Sequence, residues 1–146
     1  MVILKEVWIM KLNNIQRDEQ DETEVNLDTE ILYTKTQKGE RCITYPEAES
    51  SGMGNSMTKL CVAPDNMVTV FRTGEFRTNL VILPGKKHFC SYTTPYGNVS
   101  FIVHGKYVRN YLTDEGGTLD LCYTVNADTG LLTENVISLQ IEKQKI

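Results

Sequence analysis

The chain has 146 residues, 40% of them hydrophobic, enough for one domain that buries roughly 70% of the surface its unfolded form would expose. Fifteen basic residues against nineteen acidic ones leave a net charge of −4. That is the wrong sign for neutralising nucleic-acid phosphates or sitting on anionic lipid, so neither nucleic acid nor a membrane is expected as a partner. Met1 to Met10 is apolar but broken by Lys5 and Glu6, which fits neither a signal-peptide core nor a spanning helix and points to the cytoplasm.

In chain order, the first segment is ambiguous by period. Ile3, Val7 and Met10 fit a helical stripe, whereas Val2, Leu4, Trp8, Met10 and Leu12 fit a strand face, and composition tips the choice to strand. From Thr23, the positions Val25, Leu27, Thr29, Ile31 and Tyr33 alternate with Glu24, Asn26, Asp28 and Glu30. The acidic link Asp18 to Glu22 therefore reads as the solvated tip of a long hairpin. Lys38-Gly39 separates this run from Arg41 to Tyr45. Ser50 to Asn55 reads as a flexible loop opening the run Ser56 to Val62, and Pro64-Asp65-Asn66 as a turn. Met67 to Thr73 and Phe76 to Leu83 flank Gly74-Glu75, a candidate tight hairpin.

The segment Leu83 to Gly97 writes two turns and the strand between them. Pro84-Gly85 and Thr94-Pro95-Tyr96-Gly97 bracket a strand on which His88, Cys90, Tyr92 and Thr94 share one face, and Lys87, Phe89, Ser91 and Thr93 the other. Beyond it, Asn98 to His104 leads through Gly105-Lys106 into Tyr107 to Thr113, and Asp114 to Gly117 closes that pair. Thr118 to Asn126 and Leu132 to Glu142 follow, split by Asp128-Thr129-Gly130. Leu119, Leu121, Tyr123 and Val125 form the cleanest one-side-buried pattern in the chain, and Ile137, Leu139 and Ile141 repeat it. Turn signals every eight to twelve residues, with no repeat or composition shift, describe one all-β domain spanning residues 1–146.

Little in this pattern points to a reaction. His88 and Cys90 lie two apart on one strand, so their side chains are parallel neighbours roughly 6–7 Å apart, too far for direct activation of a nucleophile. No G-x-S-x-G elbow or phosphate-cradling loop occurs. Gly52-Met-Gly-Asn-Ser56 opens like a dinucleotide fingerprint but lacks the third glycine and the following helix. No catalytic residue is assigned, and the enzyme question stays open with the balance against. Cys42, Cys61, Cys90 and Cys122 form no C-x-x-C pair and are expected as isolated semi-buried thiols, disulfides being expected only of an exported chain. One strand face offers His88 and Cys90 as two ligands where closed metal sites take four, so no metal or other cofactor is expected.

The order Tyr45-x-Glu47, Gly52-Met-Gly54, Arg72-x-Gly74, Gly85-x-x-His88, Tyr92-Thr-Thr-Pro-Tyr-Gly97, Gly117-x-Leu119 and Asn135 resembles the YwiB-like family of uncharacterised small bacterial β-barrels. The likeness covers nearly the whole chain from about Val25 onward, and Gly-x-x-His followed by Tyr-x-Thr-Pro-Tyr-Gly is its most specific part. It implies a single closed or nearly closed, mainly antiparallel barrel of about eight to ten strands, similar to the calycins and hence to lipocalins and fatty-acid-binding proteins. It implies no activity. The Gly-x-Trp of true lipocalins is absent around Trp8.

In such a barrel, inward side chains either fill the lumen or line a pocket for one small ligand. Val68, Val70 and Arg72 share a strand face, so Arg72 either snorkels from the rim or turns inward and needs a carboxylate, a tyrosine hydroxyl or an anion as partner. Tyr92, Tyr96 and Tyr123 read as packing aromatics whose hydroxyls find partners. The leading expectation is a binding barrel, monomeric or weakly dimeric, holding a small anionic or amphipathic ligand near Arg72, His88, Cys90, Tyr92 and Tyr123. A filled barrel serving as a protein interaction module is the second reading and an unrecognised enzyme the third.

Overall fold

Period-two alternation carries through to ten strands in the computed structural model, which describes residues 6–47, 56–74, 77–127, 130 and 132–145. They are β1 (Glu6–Arg17), β2 (Glu22–Lys35), β3 (Arg41–Pro46), β4 (Ser56–Val62), β5 (Val68–Gly74), β6 (Arg77–Ile82), β7 (Lys87–Thr94), β8 (Gly97–Thr113), β9 (Gly116–Ala127) and β10 (Leu132–Lys145). Each pairs antiparallel with the next, and β1 pairs with β10 from Glu6↔Lys145 to Arg17↔Glu134, closing a ten-stranded meander barrel. Closure removes the free sheet edges that a ten-strand open meander would expose. No helix among the described residues is long and apolar enough to cross a membrane.

The first segment is a strand, as its composition indicated: Met10 and Leu12 are buried and Trp8 packs against the core. Val2 and Leu4 lie outside the described residues, as does the loop Ser50–Asn55. The acidic link is a tight tip, with the Asp18 carboxylate accepting the backbone N–H groups of Gln20 and Asp21 at 2.8 and 2.9 Å. At the Pro64 turn Asn66 takes a φ of 68°, a left-handed conformation that asparagine tolerates better than most residues.

Gly105-Lys106 does not separate two strands. β8 runs straight through it, and the register shift between Gly105 and Tyr107 shows a bulge there. Gly105 is needed for a different reason. The turn Leu83 to Lys86 folds onto β8, with Gly85 N donating to Gly105 O at 3.0 Å and Gly105 N to Lys86 O at 3.1 Å. A Cβ on residue 105 would sit 2.4 Å from the Leu83 carbonyl oxygen, so a side chain there would push the turn off.

The cysteines divide into two kinds. Cys42 and Cys61 stand directly opposite each other on β3 and β4, with Cα atoms 4.1 Å apart, and form a disulfide. Only Cys90 and Cys122 are the buried free thiols expected of all four. Spacing in sequence could not show this, because the pairing follows from the β3–β4 register.

One end of the barrel is sealed. Trp8 and Tyr33 meet edge to face with centroids 4.9 Å apart, and the Tyr33 hydroxyl donates to Thr113 O at 2.8 Å. Arg41 donates to Asp114 at 2.7 Å beside them. Above this seal Met10, Ile43, Leu60, Val68, Ile82, Leu119, Leu121 and Ile141 are fully buried and fill this half of the lumen.

Candidate functional site

Antiparallel neighbours put the C-terminal halves of the odd strands and the N-terminal halves of the even strands at the same end, opposite the seal. At that end the inward positions change character. Leu12 gives way to Asn14 and Gln16 on β1, Val70 to Arg72 on β5, and Cys90 to Tyr92 on β7. Read toward their N-termini, Leu60 gives way to Thr58 on β4, Leu80 to Thr78 on β6, and Ile137 to Asn135 on β10. The lumen stays open here as a cavity of about 400 Å³.

A ladder row crosses its wall: Tyr45↔Thr58, Thr58↔Arg72, Arg72↔Thr78 and Thr78↔Tyr92 are successive cross-strand pairs from β3 to β7. Side chains so placed are near neighbours on one face. Two residues beyond Tyr45, Glu47 points the same way. Its Oε1 accepts from Arg72 Nε at 3.1 Å and from the Thr58 hydroxyl. Both charged side chains are largely buried, Arg72 at 17% exposure and Glu47 at 10%. Of the two alternatives for Arg72, the inward one with a carboxylate partner holds.

The electrostatics follow from burial. Burial alone would pull the Arg72 guanidinium down, but Tyr123, Glu47 and Tyr45 more than offset it and leave the group above its ordinary value. Burial pushes the Tyr45 and Tyr123 hydroxyls up, Glu47 adding to the effect and Arg72 opposing it. At neutral pH both tyrosines are therefore protonated, and the partner that balances the Arg72 charge is Glu47.

On the opposite side, Gln16 pairs with Asn135 across β1 and β10, and Asn135 with Tyr123 across β10 and β9. Asn14 sits in the same row system, two residues from Gln16. Val25 and Leu27 of β2 border these amides on one flank, and Phe101 of β8 with Val125 of β9 on the other. The buried Asn14 Oδ1 and Thr78 Oγ1 have no hydrogen-bond partner among the described residues. Such atoms are costly in a dry site and inexpensive where a guest or water can reach them.

Of the five residues expected at the site, Arg72, Tyr92 and Tyr123 line the cavity. His88 and Cys90 share the inward face with Tyr92, as alternation required, but lie deeper and do not border the opening. Cys90 belongs to the apolar core, where burial pushes its thiol up despite a backbone hydrogen bond from Val81. His88 stands opposite Val103 with Nδ1 buried and unpartnered. Tyr96 is not a packing aromatic; it is 96% exposed at the tip of the β7–β8 hairpin, too far along for any neighbouring strand to cover it. Met57 faces outward near the open end, whereas Met67 lies at the sealed one.

Glu47, Asn14, Gln16, Thr78 and Asn135 were not singled out as site residues. For Asn14, Gln16, Thr78 and Asn135 the signal was available, since each is a polar residue in phase with an apolar inward series, such as Asn14 after Met10 and Leu12. Glu47 and Asn135 enter the sequence reading only as marks of family resemblance. Among the described residues no three His, Cys, Asp or Glu side chains converge as a metal site would need. A broader depression of about 580 Å³ lies on the outer surface across β2, β1, β10 and β9, lined by solvated groups such as the Asn13–Asn26 pair at 2.8 Å. It is larger but more open than the lumen cavity.

These features define a closed ten-stranded antiparallel barrel, packed solid at one end and hollow and polar at the other. The chain belongs to the family described as a domain of unknown function (DUF1934), whose model matches residues 10–139. It is similar in structure to the ywiB protein from Bacillus subtilis, at 20% sequence identity over 94% of each chain with a TM-score of 0.76, a likeness of fold. No curated protein matches the chain.

Proposed function

We propose that the protein is a binding barrel whose open-end cavity holds one small amphipathic molecule. The observation that supports this best is the buried Glu47–Arg72 pair facing a lumen cavity of about 400 Å³. That volume falls within the range of roughly 300–1,000 Å³ typical of small-ligand sites, and mixed polar and apolar walls are what such sites use to orient a guest. A lumen meant only to stabilise the fold gains nothing from a buried ion pair, because well-packed apolar side chains of the same volume do as well or better. Filling of the sealed half alone leaves the interaction-module reading without the solid lumen it needs.

Native mass spectrometry of the protein purified from its own cells tests this reading. A retained small molecule that leaves on unfolding, and is missing from a Leu80→Trp variant whose indole occupies the cavity, is the expected result. A clean unliganded spectrum from gently purified protein, with no stabilisation by any compound in a thermal-shift screen, overturns it.

We place the protein in the cytoplasm, acting as a monomer or weak homodimer. A reducing compartment would open the Cys42–Cys61 bridge seen in the structure and hold the two as adjacent buried thiols. Thiol trapping in the lysate followed by intact-mass measurement should then count four free cysteines. Recovery of an intact bridge under those conditions contradicts this location.

A further inference from the structure

The charge already present in the cavity restricts what can enter it. Among the described residues lining the space, Glu47 and Arg72 are the charged ones, and they are already paired at 3.1 Å. Thr58 Oγ1 engages Glu47 Oε1 a second time. The wall therefore has no net charge, and the tyrosines beside it stay neutral. A carboxylate or phosphate entering this space would bring a negative charge next to Glu47, with the nearby cation already balanced. The site would have to break its own ion pair to accept such a guest.

The unpartnered atoms say what it accepts instead. Asn14 Oδ1, on β1, can only accept a hydrogen bond; Thr78 Oγ1, on β6, can donate or accept. β1 and β6 are five strands apart in either direction around the barrel, so the two atoms belong to opposite walls. Val25 and Leu27 on one flank, with Phe101 and Val125 on the other, offer apolar surface between them. A guest that satisfies all of this has hydrogen-bonding groups at two edges and an uncharged, apolar body.

We propose that the cavity selects a net-neutral molecule of one or two fused rings bearing amide-type N–H and C=O groups. Its N–H is donated to Asn14 Oδ1, its carbonyl edge accepts from Thr78 Oγ1, and its faces lie against Val25, Leu27, Phe101 and Val125. This rests on the binding reading above and adds the ligand's charge and polar edges to it.

Matched probes that differ only in charge provide the test: nicotinamide against nicotinate, and indole-3-carboxamide against indole-3-carboxylate, titrated at pH 7 while the side-chain amide resonances of Asn14 and Asn135 are followed. Each amide is expected to bind at least tenfold more tightly than its carboxylate. Asn14→Leu should weaken the amides at least fivefold, and Glu47→Gln, which leaves Arg72 unbalanced, should reverse the order within each pair. The wild-type ratios are decisive even if a variant fails to fold. Carboxylates that bind the wild-type protein as tightly as the amides overturn this inference and leave the binding reading intact. If none of the four probes shifts a lumen resonance this inference also falls, and the retained mass described above then decides the binding reading separately.

Discussion

The sealed and open halves of the lumen are built by the same ten strands with the same alternation, yet one is solid and the other hollow. The difference lies in which side chains occupy the inward positions, not in the backbone. In the sealed half Leu119, Leu121, Met10 and Ile141 on one wall, and Ile43, Leu60 and Val68 on the facing strands, are all fully buried. In the open half Asn14, Arg72, Glu47 and Asn135 occupy equivalent positions and leave space between them. Apolar atoms gain by closing on one another, whereas polar atoms stay with whatever partner they have. A barrel can therefore hold stability and a binding site in one lumen by separating them along its axis.

The largest effect should come from cutting into the solid half. Leu121→Ala should cost about 4 kcal/mol in urea unfolding, since its fully buried site cannot collapse. Leu80 is almost as buried but borders the cavity, so Leu80→Ala should cost only about 2 kcal/mol, the new space joining one that already exists. Equal costs would mean that the two halves are packed alike.

The next effect isolates the ion pair. Arg72→Met leaves Glu47 buried without its cation and should cost about 3 kcal/mol by the same measurement. The double variant Glu47→Gln with Arg72→Met should recover to within about 1 kcal/mol of wild type, since the pair as a whole does little for stability. A double variant as unstable as the single one would show that the pair holds the fold, which would remove the reason to assign it to a ligand.

The smallest effect belongs to the rim of the sealed end. Arg41, by its hydrogen bond and its charge, holds the fully exposed Asp114 carboxyl below its ordinary range. A carboxyl whose pKa is lower folded than unfolded contributes stability above the unfolded value, about 3.9, and loses it as pH falls through the folded one. Asp114→Asn should therefore be slightly less stable than wild type at pH 7, with the gap closing in strong acid. A gap that persists there would point to the turn geometry rather than the charge.

The strands were legible because each has a one-sided apolar series with turn residues on either side, as in Leu119 to Val125. The inward direction of His88, Cys90 and Tyr92 was legible too, since alternation alone decides it. Their depth was not, because the height of a residue in the lumen depends on the stagger of all the strands around the barrel. For that reason Tyr92 reaches the cavity while Cys90, two residues earlier, is part of the core. Glu47 was hidden in another way, lying beyond a proline at a strand end, where nothing local marks a partner 25 residues further along the chain.

By itself the sequence determined the all-β class, most of the meander and the inward face of strands such as β7 and β9, because these depend on interactions between neighbours in the chain. Only the tertiary structure decided that Arg72 meets Glu47, that Cys42 meets Cys61, and that one half of the lumen closes while the other stays open. Those outcomes depend on how ten strands register when the sheet closes on itself, and register is a property of pairs of strands that no single strand contains.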